Sequence, residues 1–426
     1  MNPDILSPNG TIHVTPDQAA WIAASTGISG VLGFCTVPYI MQIYGRKIVH
    51  IAINICTGVG FLIFALANNV PCLYAARTLQ GSHMCMMYVG SIMMGEYSHP
   101  KRRGYFIILK KFSAAVGSLI CHSMALWWTW KKIAAFAIIP PVIAVIMTFM
   151  WPESPAFLAL KGRYDECDKS HTWLHGDSLK NKKELDNLIA TQTERREKAT
   201  NKRNVKTVIK NMMKKDFMLP FITASMLTLL IDASGRYYTP AYVVQILTEI
   251  TKDKSIAVYC TIGADTLTVI ALLISCYIIR CFKRRTLIFT AGITSVFLMC
   301  LISLVAILKT RHTIGGSALW ITPSIILLNI FVVNVGIVPV CFAIIGEIFP
   351  LEHKGTGSFA TGIVFTILFV LVMKFTPLMM EKTGVEGTFG IYGLHMILAL
   401  LILYFTLNET KDKTLQEIEN EIKGIS

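Results

Sequence analysis

The stretch EYSHPKRRG, residues 96–104, returns later in the chain as EIFPLEHKG, residues 347–355. In each copy an acidic residue ends an apolar run, a basic residue follows seven positions later, and a glycine comes next. Two further signals recur in the same order: GRK at 45–47 with KRR at 283–285, and PESP at 152–155 with NETK at 408–411. One such match is weak, but three in one order predict a chain built from two similar halves.

The composition predicts that both halves lie in a membrane. The 426 residues are 53% hydrophobic and only 15% charged, whereas soluble domains carry about 25% charged residues. A membrane-spanning helix needs about 20 mostly apolar residues. Eleven runs of suitable length occur, near 19–43, 48–67, 71–95, 104–128, 132–151, 217–247, 255–279, 286–308, 318–346, 357–380 and 388–407.

The long polar stretch between the fifth and sixth runs divides the chain. We expect an N-terminal half-bundle of five spans at 19–151, a charged linker with helical spacing at 152–216, and a C-terminal half-bundle of six spans at 217–407. Parallel six-span repeats, with a solute site between them at mid-membrane, describe a large class of secondary transporter. By that template the first span of the N-terminal half is absent.

The basic residues predict the orientation. If the loop after the first run is cytosolic, short cytosolic segments hold fifteen Lys and Arg residues and the opposite segments hold seven, as the positive-inside rule requires. Segment 1–18 is then extracellular and the tail 408–426 cytosolic. Asn9, in Asn-Gly-Thr, becomes a glycosylation acceptor. We expect a multi-pass protein of the plasma membrane whose spans contact the lipid bilayer.

Other classes of function find no support in the sequence. It contains no HExxH, no P-loop and no nucleophile elbow, and its eleven cysteines show no CxxC, paired or metal-type spacing. The net charge of +14 does not indicate nucleic-acid binding, because the basic residues lie between apolar runs rather than in a patch with aromatics. We expect no enzyme, no metal, no cofactor and no nucleic acid.

The motifs resemble those of the sugar porters of the major facilitator superfamily, from about Asp17 onward. The most specific match is PESPAFLALKGR at 152–163, and the chain is most similar to the insect facilitated trehalose transporter group through WLHG at 173–176 and VMKF at 372–375. The resemblance implies an all-α polytopic membrane protein with the major facilitator fold, two pseudo-symmetric bundles and eleven visible spans of an expected twelve. It also implies a monomeric functional unit.

The resemblance further implies that charges at the cytosolic span ends form a network that latches the halves while the cavity is open outward. Alternatively, these are ordinary span-end charges, although the positive-inside rule explains the basic residues and not the acids at matched spacing. The predicted network comprises Arg46, Lys47, Glu96, Arg103, Glu153, Arg163, Arg284, Arg285, Glu347, Lys354 and Glu409.

The positions at which sugar porters contact sugar are mostly changed. The family's QQxSG is here IDASG, its following Asn falls on Tyr237, its Gln after the first-half RG motif falls on Lys111, and its Trp falls on Phe342. The predicted substrate cavity comprises Lys111, Asp232, Ser234, Gly235, Tyr237, Pro339 and Phe342. These residues predict a small polar solute, a hexose or trehalose by resemblance.

Charged residues inside the spans leave alternatives open. Asp232 and Arg236 are spaced to pair on one helix face; otherwise Asp232 and Lys111 project into the cavity, which suits a charged or zwitterionic solute or proton coupling. A non-transporting membrane sensor is a third alternative. Asp265 and Lys374 also lie inside spans, where ionisable residues usually face the bundle interior; Lys374 can instead snorkel.

Overall fold

The structure is a computed structural model that describes residues 12–98, 103–200, 213–251, 254–311, 320–349 and 354–411. Asn9 lies outside these residues. Helices dominate the described part, as predicted. Those of the N-terminal half are α1 (Pro16–Tyr44), α2 (Arg46–Leu66), α3 (Val70–Gly81), α4 (Met86–Tyr97), α5 (Arg103–Met124), α6 (Trp130–Phe136) and α7 (Ile139–Met150).

The linker and the C-terminal half continue the same pattern. The described linker helices are α8 (Pro155–Lys161), α9 (Tyr164–His175) and α10 (Leu179–Thr200). The C-terminal helices are α11 (Lys215–Ala233), α12 (Tyr238–Thr251), α13 (Lys254–Cys281), α14 (Arg284–Thr310), α15 (Ile321–Val332), α16 (Val338–Glu347) and α17 (Lys354–Thr406). The exact boundaries of the halves and the linker stay a prediction.

The first helix shows how the sequence sets its own boundaries. The side chain of Thr15 accepts from the backbone N–H of Gln18, and the side-chain oxygen of Gln18 accepts from the backbone N–H of Thr15. These bonds satisfy two amides that have no partner inside the helix. Pro16 follows at a position where its missing N–H costs nothing. The helix ends at Gly45, whose φ of 101° a side chain would disfavour.

Eight helical segments among the described residues are long and apolar enough to cross a membrane. One of them, within α17, runs through two predicted spans that meet at Gly384, where φ is 69°. The predicted spans near 71–95 and 104–128 correspond to α3–α4 and α5. Large apolar side chains such as Leu32, Phe149, Phe297 and Phe405 are more than 60% exposed. Such outward apolar faces suit contact with lipid, and the chain is a multi-pass membrane protein.

Several spans are interrupted rather than continuous. A 3₁₀ turn, Ser82–Cys85, separates α3 from α4, and a π-helical turn, Val333–Ile337, separates α15 from α16. A non-helical turn at 234–237 separates α11 from α12. Irregular backbone inside a membrane is tolerated where protein or a cavity covers it. These breaks therefore mark the interior of the bundles.

The two halves meet along extended helix contacts. Helix α1 packs on the first part of α17, and α5 packs on α13. At the first seam a Cβ added to Gly27 would lie 2.4 Å from Val370, and one added to Gly30 would lie 3.1 Å from Thr366. Small residues let helix backbones approach closely within a membrane. Glycine therefore sets how tightly α1 and α17 join the halves.

Candidate transport cavity and charge network

The carboxylate of Glu153 holds the start of α2. It accepts hydrogen bonds from the backbone N–H of Arg46 at 3.0 Å and of Lys47 at 3.2 Å, and from its neighbour Ser154 at 2.7 Å. The first amides of a helix have no partner inside the helix and carry partial positive charge, so an acid is stabilised there. A Cβ on Gly45 would lie 2.2 Å from this carboxylate, which explains glycine at the preceding position.

Glu96 adds an ion pair to this cluster. Arg46 donates to it from Nε and from Nη2, each at 2.7 Å, and both side chains are largely buried. Two parallel bonds of this kind are stronger and more directional than one. Ser154 also donates to Glu96, at 2.5 Å. The end of α4, the start of α2 and the segment after α7 are thus joined.

The C-terminal half repeats the arrangement with Glu409. Its carboxylate accepts from the backbone N–H of Arg284 and of Arg285, each at 3.0 Å, at the start of α14. Burial raises the pKa of Glu409, but backbone N–H donors from Lys411, Arg285, Arg284 and Thr410 outweigh it, and the pKa lies below its usual value. The two predicted acids of the post-bundle segments therefore cap corresponding helices: Glu153 caps α2 and Glu409 caps α14.

The remaining predicted network residues divide into two groups. The backbones of Arg103, Glu347 and Lys354 lie at helix ends, but their side chains are outside the described part of the structure. Arg163 donates to Glu166 at 2.7 and 2.5 Å, and both side chains are more than half exposed. The described contacts of Glu96, Glu153 and Glu409 run within one half and its following segment, so the predicted latch between halves stays a prediction.

Lys111 and Phe342 meet across the two halves. The Lys111 ammonium, on α5, lies 3.3 Å from the centre of the Phe342 ring, on α16. A cation over a ring face is stabilised by about 0.5–2 kcal/mol. Two residues that replace expected sugar contacts are therefore brought together where the halves face each other.

Asp232 does not pair with Arg236. Helix α11 ends at Ala233, and Arg236 lies on the turn that follows, with its guanidinium 6.0 Å from the Tyr237 ring centre. The prediction of a pair on one helix face is wrong, because that spacing requires a continuous helix. Gly235, with φ 93°, makes the turn, and a Cβ there would lie 2.6 Å from Thr239.

Asp232 also does not lie in open space. Its side chain is fully buried, and neither carboxylate oxygen has a hydrogen-bond partner among the described residues. Burying an ionised carboxylate without a partner is costly. The prediction that it projects into a water-filled cavity therefore fits this conformation poorly, whereas Lys111 is only partly buried and does reach the interface.

The other predicted cavity residues make contacts within the C-terminal half. Tyr237 contacts Phe365 and Phe369 of α17 edge-on, with ring centres 5.5 and 5.6 Å apart. The backbone oxygen of Ser234 accepts from the Asn329 side chain at 3.3 Å, and Pro339 lies in the first turn of α16. Sequence reasoning missed Asn329, Phe365 and Phe369, because each resembles ordinary span sequence.

Comparisons with known proteins identify the class. Residues 7–422 match the family described as "Sugar (and other) transporter", so the chain belongs to that family, and the predicted membership is confirmed.

Curated proteins to which the chain is similar are named as transporters. It is 26% identical to the facilitated trehalose transporter Tret1 of Apis mellifera ligustica, over 97% of this chain and 81% of that protein. It is 24% identical to Tret1 of Polypedilum vanderplanki, with the same coverage.

Solved structures confirm the major facilitator fold. The inward-open xylose transporter XylE from E. coli superposes with a TM-score of 0.75 at 17% identity, over 98% of this chain and 91% of that one. The human organic anion transporter MFSD10 gives 0.53 at 12% identity, over 89% and 83%. At these identities the likeness establishes the fold and no substrate.

Proposed function

We propose that this protein carries a neutral sugar, a hexose or trehalose, across the plasma membrane by alternating access. The observation that carries the proposal is the meeting of Lys111 and Phe342 across the two halves. Both occupy positions at which the family contacts sugar, so the interface between the halves is the solute site. The relatives named as trehalose transporters support the choice of sugar.

The proposed orientation places the linker and the Glu153 and Glu409 clusters on the cytosolic side. It rests on the excess of Lys and Arg in the short segments at that end. The start of α1 and the turn of α17 at Gly384 are remote from the linker and then face outward. We call these two sides of the molecule the linker end and the far end.

Direct transport assays test the proposed activity. The protein is purified, reconstituted in vesicles, and assayed for counterflow of labelled trehalose and labelled glucose. We expect saturable counterflow of one sugar, competed by the unlabelled form. Sugar binding without any counterflow would favour the sensor and overturn the proposal.

Lys111→Gln separates a neutral from a charged solute. An amide both donates and accepts hydrogen bonds, as sugar hydroxyls require, so we expect the variant to lower KM for the neutral sugar about three- to tenfold, or up to about 1.4 kcal/mol. Lys131→Gln is the matched control, because Lys131 contacts only Asn68 of its own half among the hydrogen bonds of described residues. Uptake of an anionic solute that Lys111→Gln abolishes would instead show a charged substrate.

A further inference from the structure

A first pair of charges joins the two halves at the far end. Lys374, on α17, contacts the carboxylate of Asp17, in the first turn of α1. The same ammonium lies 4.4 Å from the centre of the Trp21 ring, one turn further along α1. The lysine side chain is only 17% exposed. Its partner Asp17 is 73% exposed, so Lys374 crosses to the other half and pairs at the water-exposed start of α1.

A second pair joins the halves at their other seam. The carboxylate of Asp265, on α13, contacts Nδ1 of His122, on α5, and accepts a hydrogen bond from Ser118 of α5 at 3.2 Å. Asp265 is 10% exposed. The acid belongs to one half, and both of its described partners belong to the other.

The placement of these two contacts is more informative than their strength. An exposed ion pair contributes about 0–1 kcal/mol, and each half can in principle satisfy its own charges. Here each acid and its base lie on opposite halves, one pair on the α1–α17 seam and one on the α5–α13 seam. Any movement that separates the halves at the far end must break both contacts.

We infer that Asp17–Lys374 and His122–Asp265, the far-end pairs, hold the solute cavity closed on that side and must separate for it to open there. The inference rests on the proposed alternating access. It assigns a gating role to four residues outside the predicted cavity and the predicted cytosolic network. Removing a contact made in only one of two states shifts the population toward the other state.

Hydrogen exchange of the full-length protein in lipid nanodiscs, without any solute, tests the inference independently of transport. The informative peptides are those at the far end: 16–27, 115–124, 257–266 and 370–380. For Lys374→Met and for Asp265→Asn we expect exchange in these peptides to rise about threefold or more, while peptides at the linker end stay unchanged or become more protected. Lys131→Met is the matched control, because it removes a lysine contact made within one half.

Reversing the first pair distinguishes gating from a loss of folding. Asp17→Lys and Lys374→Asp should each raise far-end exchange, because each places like charges together. The double variant should return exchange close to the original level, since it restores an opposite pair in the same place. A protein that merely lost stability would exchange faster at both ends and would not be rescued.

Three results would overturn the inference. They are unchanged far-end exchange in both Lys374→Met and Asp265→Asn, a uniform rise at both ends, and failure of the double reversal to restore protection. Absence of sugar counterflow together with the expected exchange pattern would contradict the proposed function and leave the gating role supported.

Discussion

The two ends of this transporter use charge in opposite ways. At the linker end, Glu153 and Glu409 each bind the start of a helix in their own half. At the far end, Asp17 and Asp265 each bind a base in the other half. Contacts within a half stabilise that half, whereas contacts between halves oppose their separation. The effect of a charge pair therefore depends on whether it connects helices of one half or helices of both halves.

The linker-end acids are also held by a different kind of partner. Glu153 and Glu409 accept from backbone amides, which remain in place whatever the other half does. The far-end acids depend on side chains that belong to the other half. We expect the first kind of contact to affect stability and the second to affect the balance of conformations.

Replacing Glu153 should have the largest effect at the linker end. Glu153→Ala leaves the amides of Arg46, Lys47 and Ser154 without their acceptor, which we expect to cost about 2–4 kcal/mol. A large fall in the thermal unfolding midpoint of the purified protein would show this. Glu166→Ala is the control, since Glu166 is exposed and contacts Arg163 locally. An unfolding midpoint equal to that of the control would contradict the capping role.

Replacing the arginine beside it should have an intermediate effect. Arg46→Lys retains the charge but loses one of the two bonds to Glu96, because an ammonium cannot present two parallel donors. We expect the free energy of unfolding, measured by thermal unfolding, to fall by about 1–2 kcal/mol. Lys182→Arg, in an exposed pair with Asp177 of the linker, should change stability little. Equal effects of the two substitutions would argue against the paired geometry.

Acid should weaken the Glu409 cluster selectively. The pKa of Glu409 lies below its usual value, so its contribution to stability is complete above about pH 4.5 and is lost as the pH falls through the lowered pKa. Comparison of thermal unfolding between pH 6 and pH 3.5 should show a smaller decline in Glu409→Gln than in the unsubstituted protein. Parallel declines in the two proteins would refute the linkage.

The smallest effect is expected at Arg163. It pairs with Glu166 on the exposed surface of the linker, and such pairs contribute about 0–1 kcal/mol. Arg163→Ala should leave both unfolding and counterflow close to their original values. A strong loss of counterflow would instead support a role for Arg163 in the predicted network.

Sequence predicted the features that repeat or recur locally. The matched spacing of acids and bases indicated two similar halves, and it placed Glu153 and Glu409 in corresponding segments. The structure puts both at the start of corresponding helices, α2 and α14. Apolar runs predicted the spans, because a membrane requires continuous apolar length.

Features that depend on helix breaks or on distant contacts were not predictable. Asp232 and Arg236 have helical spacing, but the turn at Gly235 separates them. Asp17 and Lys374 are 357 residues apart in sequence, and nothing in either segment indicates the other. The partner of Asp265 was missed because a single histidine in a span gives no directional signal. Tertiary packing decides such contacts.

The attachment of the linker has a practical consequence for measurement. Ser170, on α9, donates to the backbone oxygen of Glu153 at 2.6 Å, and Cys167 donates to that of Pro155 at 3.2 Å. Because the Glu153 carboxylate binds the start of α2, these bonds fasten α8 and α9 to the N-terminal half at its charged end. A fluorophore attached to the cysteine of Trp173→Cys, at a position that is 62% exposed, would report the tilt of that half from the aqueous side.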